Sequence, residues 1–183
     1  MAAELESERL LVRTLQQDDL DDYHGLIYSD EEVCRFYSGD TMSLDEAREH
    51  LNFRILEAQY SDFQRWAIER KDDGQFIGIA GLEAGPNFWY RFKSDPDPVF
   101  NEVEVELSFA LGCAYWGKGF ATEACACIID YAFSELKIPR LLGGFALENT
   151  RSQRLHERLG FAIELDADEE GYVVVLENEQ VSQ

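Results

Sequence analysis

Tyr115–Ala126 reads YWGKGFATEACA and follows the run Glu106–Leu111, ELSFAL. The stretch leaves a strand-like pattern and opens a helical one, with Gly117 and Gly119 two apart at the junction. Glycine at such a turn lets the backbone curl so that successive N–H groups converge on one point. Those donors and the helix dipole together suit an anion such as a pyrophosphate. A bare G-x-G is weak, because many strand-to-helix turns carry glycine for geometry alone. Its place after an alternating strand gives it weight.

Upstream of this loop, Glu102–Leu111 alternates acidic and apolar residues, as a half-buried strand does. Phe120–Leu136 repeats Ala124, Ile128, Ala132 and Phe133 on one helical face, and Pro139 stops it. Arg140–Leu147 reads as a strand and Asn149–Leu159 as a short helix closed by Gly160. Phe161–Leu165 and Tyr172–Leu176 form a last strand pair around an acidic turn. Upstream, Arg9–Thr14 is a first strand and Asp18–Ile27 an acid-led helix. Ser43 and Glu46 make a capping box before a helix over Ala47–Tyr60, with Leu51, Ile55 and Leu56 as its apolar repeat. Arg65–Arg70 and Phe76–Leu82 flank Asp72-Asp73-Gly74 as a hairpin. Ala84–Asn101 is a long insert loop carrying Phe88, Trp89, Tyr90 and Phe92, either a substrate wall or a plug of the core. The order β-α-α-β-β-β-α-β-α-β-β describes an α/β protein, a mixed sheet with helices on its faces.

The 183 residues fit a single domain, 1–183, with a core from Ser7 to Leu176. A hydrophobic share of 45% describes a globular chain. No apolar run is long enough to span a membrane, and the polar start MAAELESERLLVR lacks a secretory apolar segment, so a cytoplasmic protein is expected. Cys34, Cys113, Cys125 and Cys127 form no C-x-x-C pair, which argues for reduced thiols and no metal site. The net charge of −21 disfavours nucleic acid and anionic membranes as partners and steers cations inward. Adaptation to a salty cytoplasm would give the same bias.

The strand ELSFAL, the loop YWGKGFATEA and the later ENTRSQRLHERLGF together resemble the GNAT acetyltransferases. ERLLVRTLQQDDLDDY and IIDYAFSELKIPRL fit the RimJ/RimL-like branch, which acetylates ribosomal-protein N-termini, so the likeness runs from Ser7 to Leu176. The resemblance implies a mostly antiparallel twisted sheet of about six or seven strands with about four helices. It also implies a V-shaped opening where the fourth and fifth strands part. The implied cofactor is acetyl-CoA, with CoA as product, and the implied reaction is direct acetyl transfer to a primary amine. A protein or peptide N-terminus is the first acceptor. A polyamine, another small amine or an antibiotic is the alternative, and a non-catalytic acyl-CoA-binding module is the rival of another class. Either a monomer or a homodimer is compatible with this pattern.

The family's phosphate loop, Arg/Gln-x-x-Gly-x-Gly/Ala, falls on Trp116, Gly117, Lys118, Gly119, Phe120 and Ala121, with Thr122 next. Trp116 departs from the general pattern. Backbone N–H groups do the anchoring, so the implied binding survives the change. Phe109, Ala110 and Leu111 match the strand end along which the pantetheine arm pairs, and an N–H there would stabilise the oxyanion. Asn149 and Ser152 match positions that touch the cofactor or leaving thiol, and either Asn149 or Thr150 also suits a helix cap. Glu106 stands where the branch often has a glutamate on this strand, which suits a base acting directly or through water, and Glu102 and Glu104 share its face as further acids or as a solvated row. His156 stands where many relatives place a tyrosine acid, or it is a surface helix residue. Glu123 matches a glutamate common in the branch, which the helix N-terminus also explains.

Overall fold

The computed structural model describes residues 4–86, 103–166 and 169–179. Among them lie the strands β1 (Leu5–Glu6), β2 (Leu10–Thr14), β3 (Arg65–Arg70), β4 (Phe76–Pro86), β5 (Val103–Leu111), β6 (Arg140–Ala146), β7 (Ala162–Leu165) and β8 (Gly171–Glu177). The helices are α1 (Leu20–Asp22), α2 (Glu31–Tyr37), α3 (Leu44–Glu57), α4 (Phe120–Ser134) and α5 (Thr150–Leu159). The hydrogen-bonded strand order is β1-β2-β3-β4-β5-β6-β8-β7. The β1–β2, β2–β3, β3–β4, β6–β8 and β7–β8 pairs are antiparallel, whereas β5 runs parallel to β6 in register Glu106↔Leu142.

The sheet has one strand more than the sequence pattern suggests. The extra one, β1, is two residues long and pairs Leu5 with Val12. Two residues carry no period, so no alternation betrays them. It shifts the count, and the expected fourth and fifth strands are β5 and β6.

The chain forms two compact units, Met1–Leu82 with Ser108–Ile128, and Glu83–Leu107 with Ile129–Gln183. In the first unit, β3 and β4 form the expected hairpin, and Gly74 sits at φ +69° in its turn. That left-handed conformation suits glycine, which has no Cβ to clash. Tyr23, Ile27, Val33, Leu51, Ala67, Ile79 and Ala110 pack into its core. Ser43 caps α3 as expected: its Oγ accepts from Glu46 N–H at 3.3 Å, and the Glu46 carboxylate accepts from Ser43 N–H at 2.8 Å.

Three local readings differ. The helix expected over Asp18–Ile27 is split into a 3₁₀ turn at Gln17–Asp19, α1, and a π-helical turn at Tyr23–Tyr28. α2 was not apparent from its periodicity. It starts where Asp30 accepts hydrogen bonds from the N–H groups of Glu32 and Val33, the function of an N-cap. Leu56 is 52% exposed, because it lies five residues on from buried Leu51, about 140° round the helix.

In the second unit β8 pairs with β6 over seven positions, from Arg140↔Glu177 to Ala146↔Gly171. Gly143 is held at the α5 side, where a Cβ would come 3.1 Å from Val174 and 3.6 Å from His156 Nε2. α5 ends at Gly160, whose φ of +84° closes it as expected. Buried Asn178 donates its side-chain amide to Ile138 O at 3.0 Å and to Phe133 O at 3.3 Å, tying the end of α4 to β8. The insert loop reads differently at its start, where 84–86 continue β4, while Phe88, Trp89, Tyr90 and Phe92 lie outside the described residues.

Candidate active site

The first unit holds the glycine loop. Gly117 lies at φ +72° and Gly119 at φ +82°, left-handed backbone that glycine adopts without strain. Gly119 O accepts from Glu123 N–H at 3.0 Å and thereby starts α4. The N–H groups of the first turn of a helix have no partner within it, which turns Phe120, Ala121 and Thr122 into donors for an anion. Among the described residues nothing lies within 4 Å of a Cβ placed on Gly117, so the loop is open there. Two left-handed glycines at a helix N-terminus, open at Gly117, fit a pyrophosphate.

Trp116 explains how the loop does without the family's first polar residue. Its indole N–H donates to Leu111 O at 2.7 Å and pins the loop to the end of β5. On β5 itself Phe109, Ala110 and Leu111 run as expected, and Gly112 N–H bonds to Ile77 O at 3.1 Å. Gly78 must be glycine because an added Cβ would stand 2.4 Å from Ala110 O. Lys118 is exposed, with Nζ 5.7 Å from the Tyr115 ring centre.

Glu123 is more than a helix N-terminal acid. One carboxylate oxygen accepts from Ser7 Oγ at 2.6 Å and from Arg9 N–H at 2.8 Å, and the other takes the Arg9 Nε–H at 2.7 Å. Burial opposes its ionisation, yet these hydrogen bonds outweigh burial and hold Glu123 below its ordinary pKa. Arg9 escaped the sequence reading, since nothing in ERLLVRT shows that its first turn reaches a residue 114 positions later.

The second unit holds a wide, open depression of about 530 Å³, lined by Glu83, Glu106, Asp166 and Glu170 together with Phe145 and Tyr172. The Phe145 and Tyr172 rings lie 5.2 Å apart between centres. Glu106 therefore stands on a concave surface with three further carboxylates that sequence reading did not assign. Glu104 fares differently: it is 9% exposed and forms an ion pair with Arg140, whose Nε–H donates to it at 3.1 Å. The solvated-row alternative does not hold for Glu104, and Glu102 lies outside the described residues.

Asn149, Ser152 and His156 come together at the mouth of α5. Asn149 Oδ1 accepts from Ser152 N–H at 3.1 Å, so Asn149 caps the helix. His156 is 1% exposed and not a surface residue. Its Nδ1 lies 2.9 Å from Ser152 O, and a carbonyl only accepts, so the proton sits on Nδ1. The ring stacks on Phe145 at 5.3 Å and meets Phe161 edge-on at 5.0 Å. Burial in that apolar setting lowers its pKa to about 4, so the imidazole is neutral at pH 7.

All four cysteines are free thiols, and burial pushes the Cys125 thiol up, which makes it unreactive. No helix among the described residues is long and apolar enough to cross a membrane.

Comparison with known proteins gives one consistent result. The Acetyltransferase (GNAT) domain model matches residues 9–162. The uncharacterized N-acetyltransferase p20 of Bacillus licheniformis is 29% identical over 86% of this chain and 81% of its own length. The spermidine N(1)-acetyltransferase of Vibrio cholerae is 24% identical over 92% of this chain and 84% of its own. The solved structure of RimL, the ribosomal L7/L12 alpha-N-protein acetyltransferase, in complex with coenzyme A superposes with a TM-score of 0.74 at 14% identity, covering 96% of this chain and 98% of that one. With that family model matching most of the chain, the protein belongs to the GNAT family of acetyl-CoA-dependent N-acetyltransferases.

Proposed function

We propose that the protein transfers acetyl directly to a primary amine on a cationic acceptor, with a protein or peptide N-terminus as the first reading. The observation that carries this is the depression with Glu83, Glu106, Asp166 and Glu170 on its walls. An ammonium or basic side chain is drawn to such a surface, and the Phe145 and Tyr172 rings add faces on which a cation can rest. RimL's own name describes an N-terminal acetyltransferase, which supports the same reading. The four carboxylates line a volume, and among the described residues no group of three could hold a metal ion. A dispersed acidic lining suits an extended cation, so a polyamine is the second reading, supported by the spermidine enzyme's likeness.

The chemistry needs a neutral amine, because an ammonium has no lone pair. Glu106 takes the proton, directly or through one water. Gly117, Gly119, Phe120, Ala121 and Thr122 hold the pyrophosphate, while Phe109, Ala110 and Leu111 take the pantetheine arm along β5. Acetyl-CoA supplies a thioester whose carbon bonds to the amine as its C–S bond breaks, and CoA leaves. His156, neutral and with its Nδ1 proton committed to Ser152 O, stiffens the mouth of α5, and water passes the proton that the new amide nitrogen sheds to the leaving sulfur. The family match across both units supports reading 1–183 as one acetyltransferase domain.

Free-thiol release with acetyl-CoA, measured over basic and acidic N-terminal peptides, polyamines and aminoglycosides, tests this. Turnover fastest on basic N-terminal peptides is expected. Turnover fastest on spermidine-like amines moves the assignment to the second reading, and a preference for acidic or neutral amines sinks both.

A further inference from the structure

We propose that Arg9 is a positioning residue for acetyl-CoA: from the β1–β2 turn it sets the direction of the glycine loop's N–H groups. That turn is tight, with Ser7 N–H bonded to Leu10 O at 3.0 Å and Leu10 N–H to Ser7 Oγ at 3.0 Å. Arg9 Nη1 donates to Lys118 O at 3.2 Å. Lys118 is the residue between the two left-handed glycines, at φ +72° and +82°.

A trans peptide is planar, with C=O and N–H pointing opposite ways. Gripping Lys118 O from one side therefore turns the Gly119 N–H to the other, away from Arg9. Gly119 has no Cβ to bias its backbone, so an external hold is what selects one orientation among several. The hold is itself anchored. Glu123 fixes the guanidinium through Nε at 2.7 Å and Nη2 at 2.5 Å, and the guanidinium lies 4.5 Å over the Phe120 ring. Glu123 pairs with the guanidinium and holds it against Lys118 O, so Arg9 acts through the loop. Lysine has no planar fork and cannot grip Glu123 and Lys118 O together.

The test uses Arg9→Ala and Arg9→Lys in the full chain, with three readouts. Calorimetry should show CoA binding weakened about tenfold in both variants. Amide hydrogen exchange of the ligand-free protein should quicken over 117–122 while β3 keeps its protection. With acetyl-pantetheine, which lacks the pyrophosphate, kcat/KM should move less than twofold, whereas with acetyl-CoA it should fall about tenfold. Equal losses on both donors would mean a general structural role and overturn the proposal. So would Arg9→Lys restoring CoA affinity, which would make charge the operative property, or CoA affinity within twofold of wild type in Arg9→Ala.

Discussion

The two units present opposite polarity with different materials. The glycine loop of the first unit offers backbone N–H groups, set by two left-handed glycines and the start of α4. The depression of the second offers side chains: carboxylates from β4, β5 and the segment that joins β7 to β8. A backbone site needs glycine at fixed places, and fixed places show in a sequence. A side-chain site needs only that the fold gather carboxylates, and in a chain with 37 acidic residues none stands out.

The sharpest way to break this contrast is to remove one carboxylate while sparing the loop. Glu106→Gln keeps the shape and deletes the proton acceptor. Turnover should drop by about 10²-fold to 10³-fold, with acetyl-CoA affinity unchanged. A steady-state assay beside calorimetry checks both halves. Turnover at wild-type level would remove Glu106 from the chemistry and leave the depression with binding alone.

His156 gives the next largest effect, on stability. Its folded pKa of about 4 lies below the ordinary value of 6.5, so the unfolded chain binds its proton first as pH falls. Its contribution to stability is full above pH 6.5 and is lost progressively toward pH 4, by about 3 kcal/mol. Urea unfolding of wild type and His156→Gln at both pH values isolates this. The gap between them should narrow by that order on acidification, and a gap independent of pH would mean that the ring is not buried neutral.

These residues also mark how far the sequence could be read. The glycine loop, the α3 capping box, the Asn149 cap and the Gly160 stop were legible because each depends on local backbone geometry. Glu106 was legible only through family likeness. Glu83, Asp166 and Glu170 were not, since their meeting depends on strand order, and β8 inserting next to β6 has no local signature. Arg9 was missed for the same reason. For His156 the sequence supplied a position on α5 but not the Phe145 and Phe161 rings that enclose it.

Gly119→Ala tests the backbone half of the comparison. A Cβ at that place would be 3.5 Å from Arg9 Nη2, an ordinary contact, so the penalty comes from φ +82° alone. Left-handed alanine costs about 1–2 kcal/mol, and CoA affinity should fall about tenfold, with the KM for the amine unchanged. An equal rise in both KM values would show that the loop does more than hold phosphate.

The smallest effect is the most discriminating for the acceptor. Asp166 Oδ1 accepts from Glu170 N–H at 2.9 Å, so Asp166→Asn can keep that turn while losing its charge, and Glu170→Gln leaves the backbone alone. Partly exposed charges of this kind contribute about 0.5 kcal/mol each, so the double variant should raise KM for a basic peptide about fivefold. An otherwise matched peptide with no basic residue beyond its N-terminal amine should change less than twofold. High salt should shrink the difference, because exposed charges are screened within about 10 Å at 0.1 M. Equal changes for both peptides would mean that these carboxylates shape the turn and do not select the cation. The acidic composition would then owe nothing to the acceptor at this site, and salt adaptation would be the better account of it.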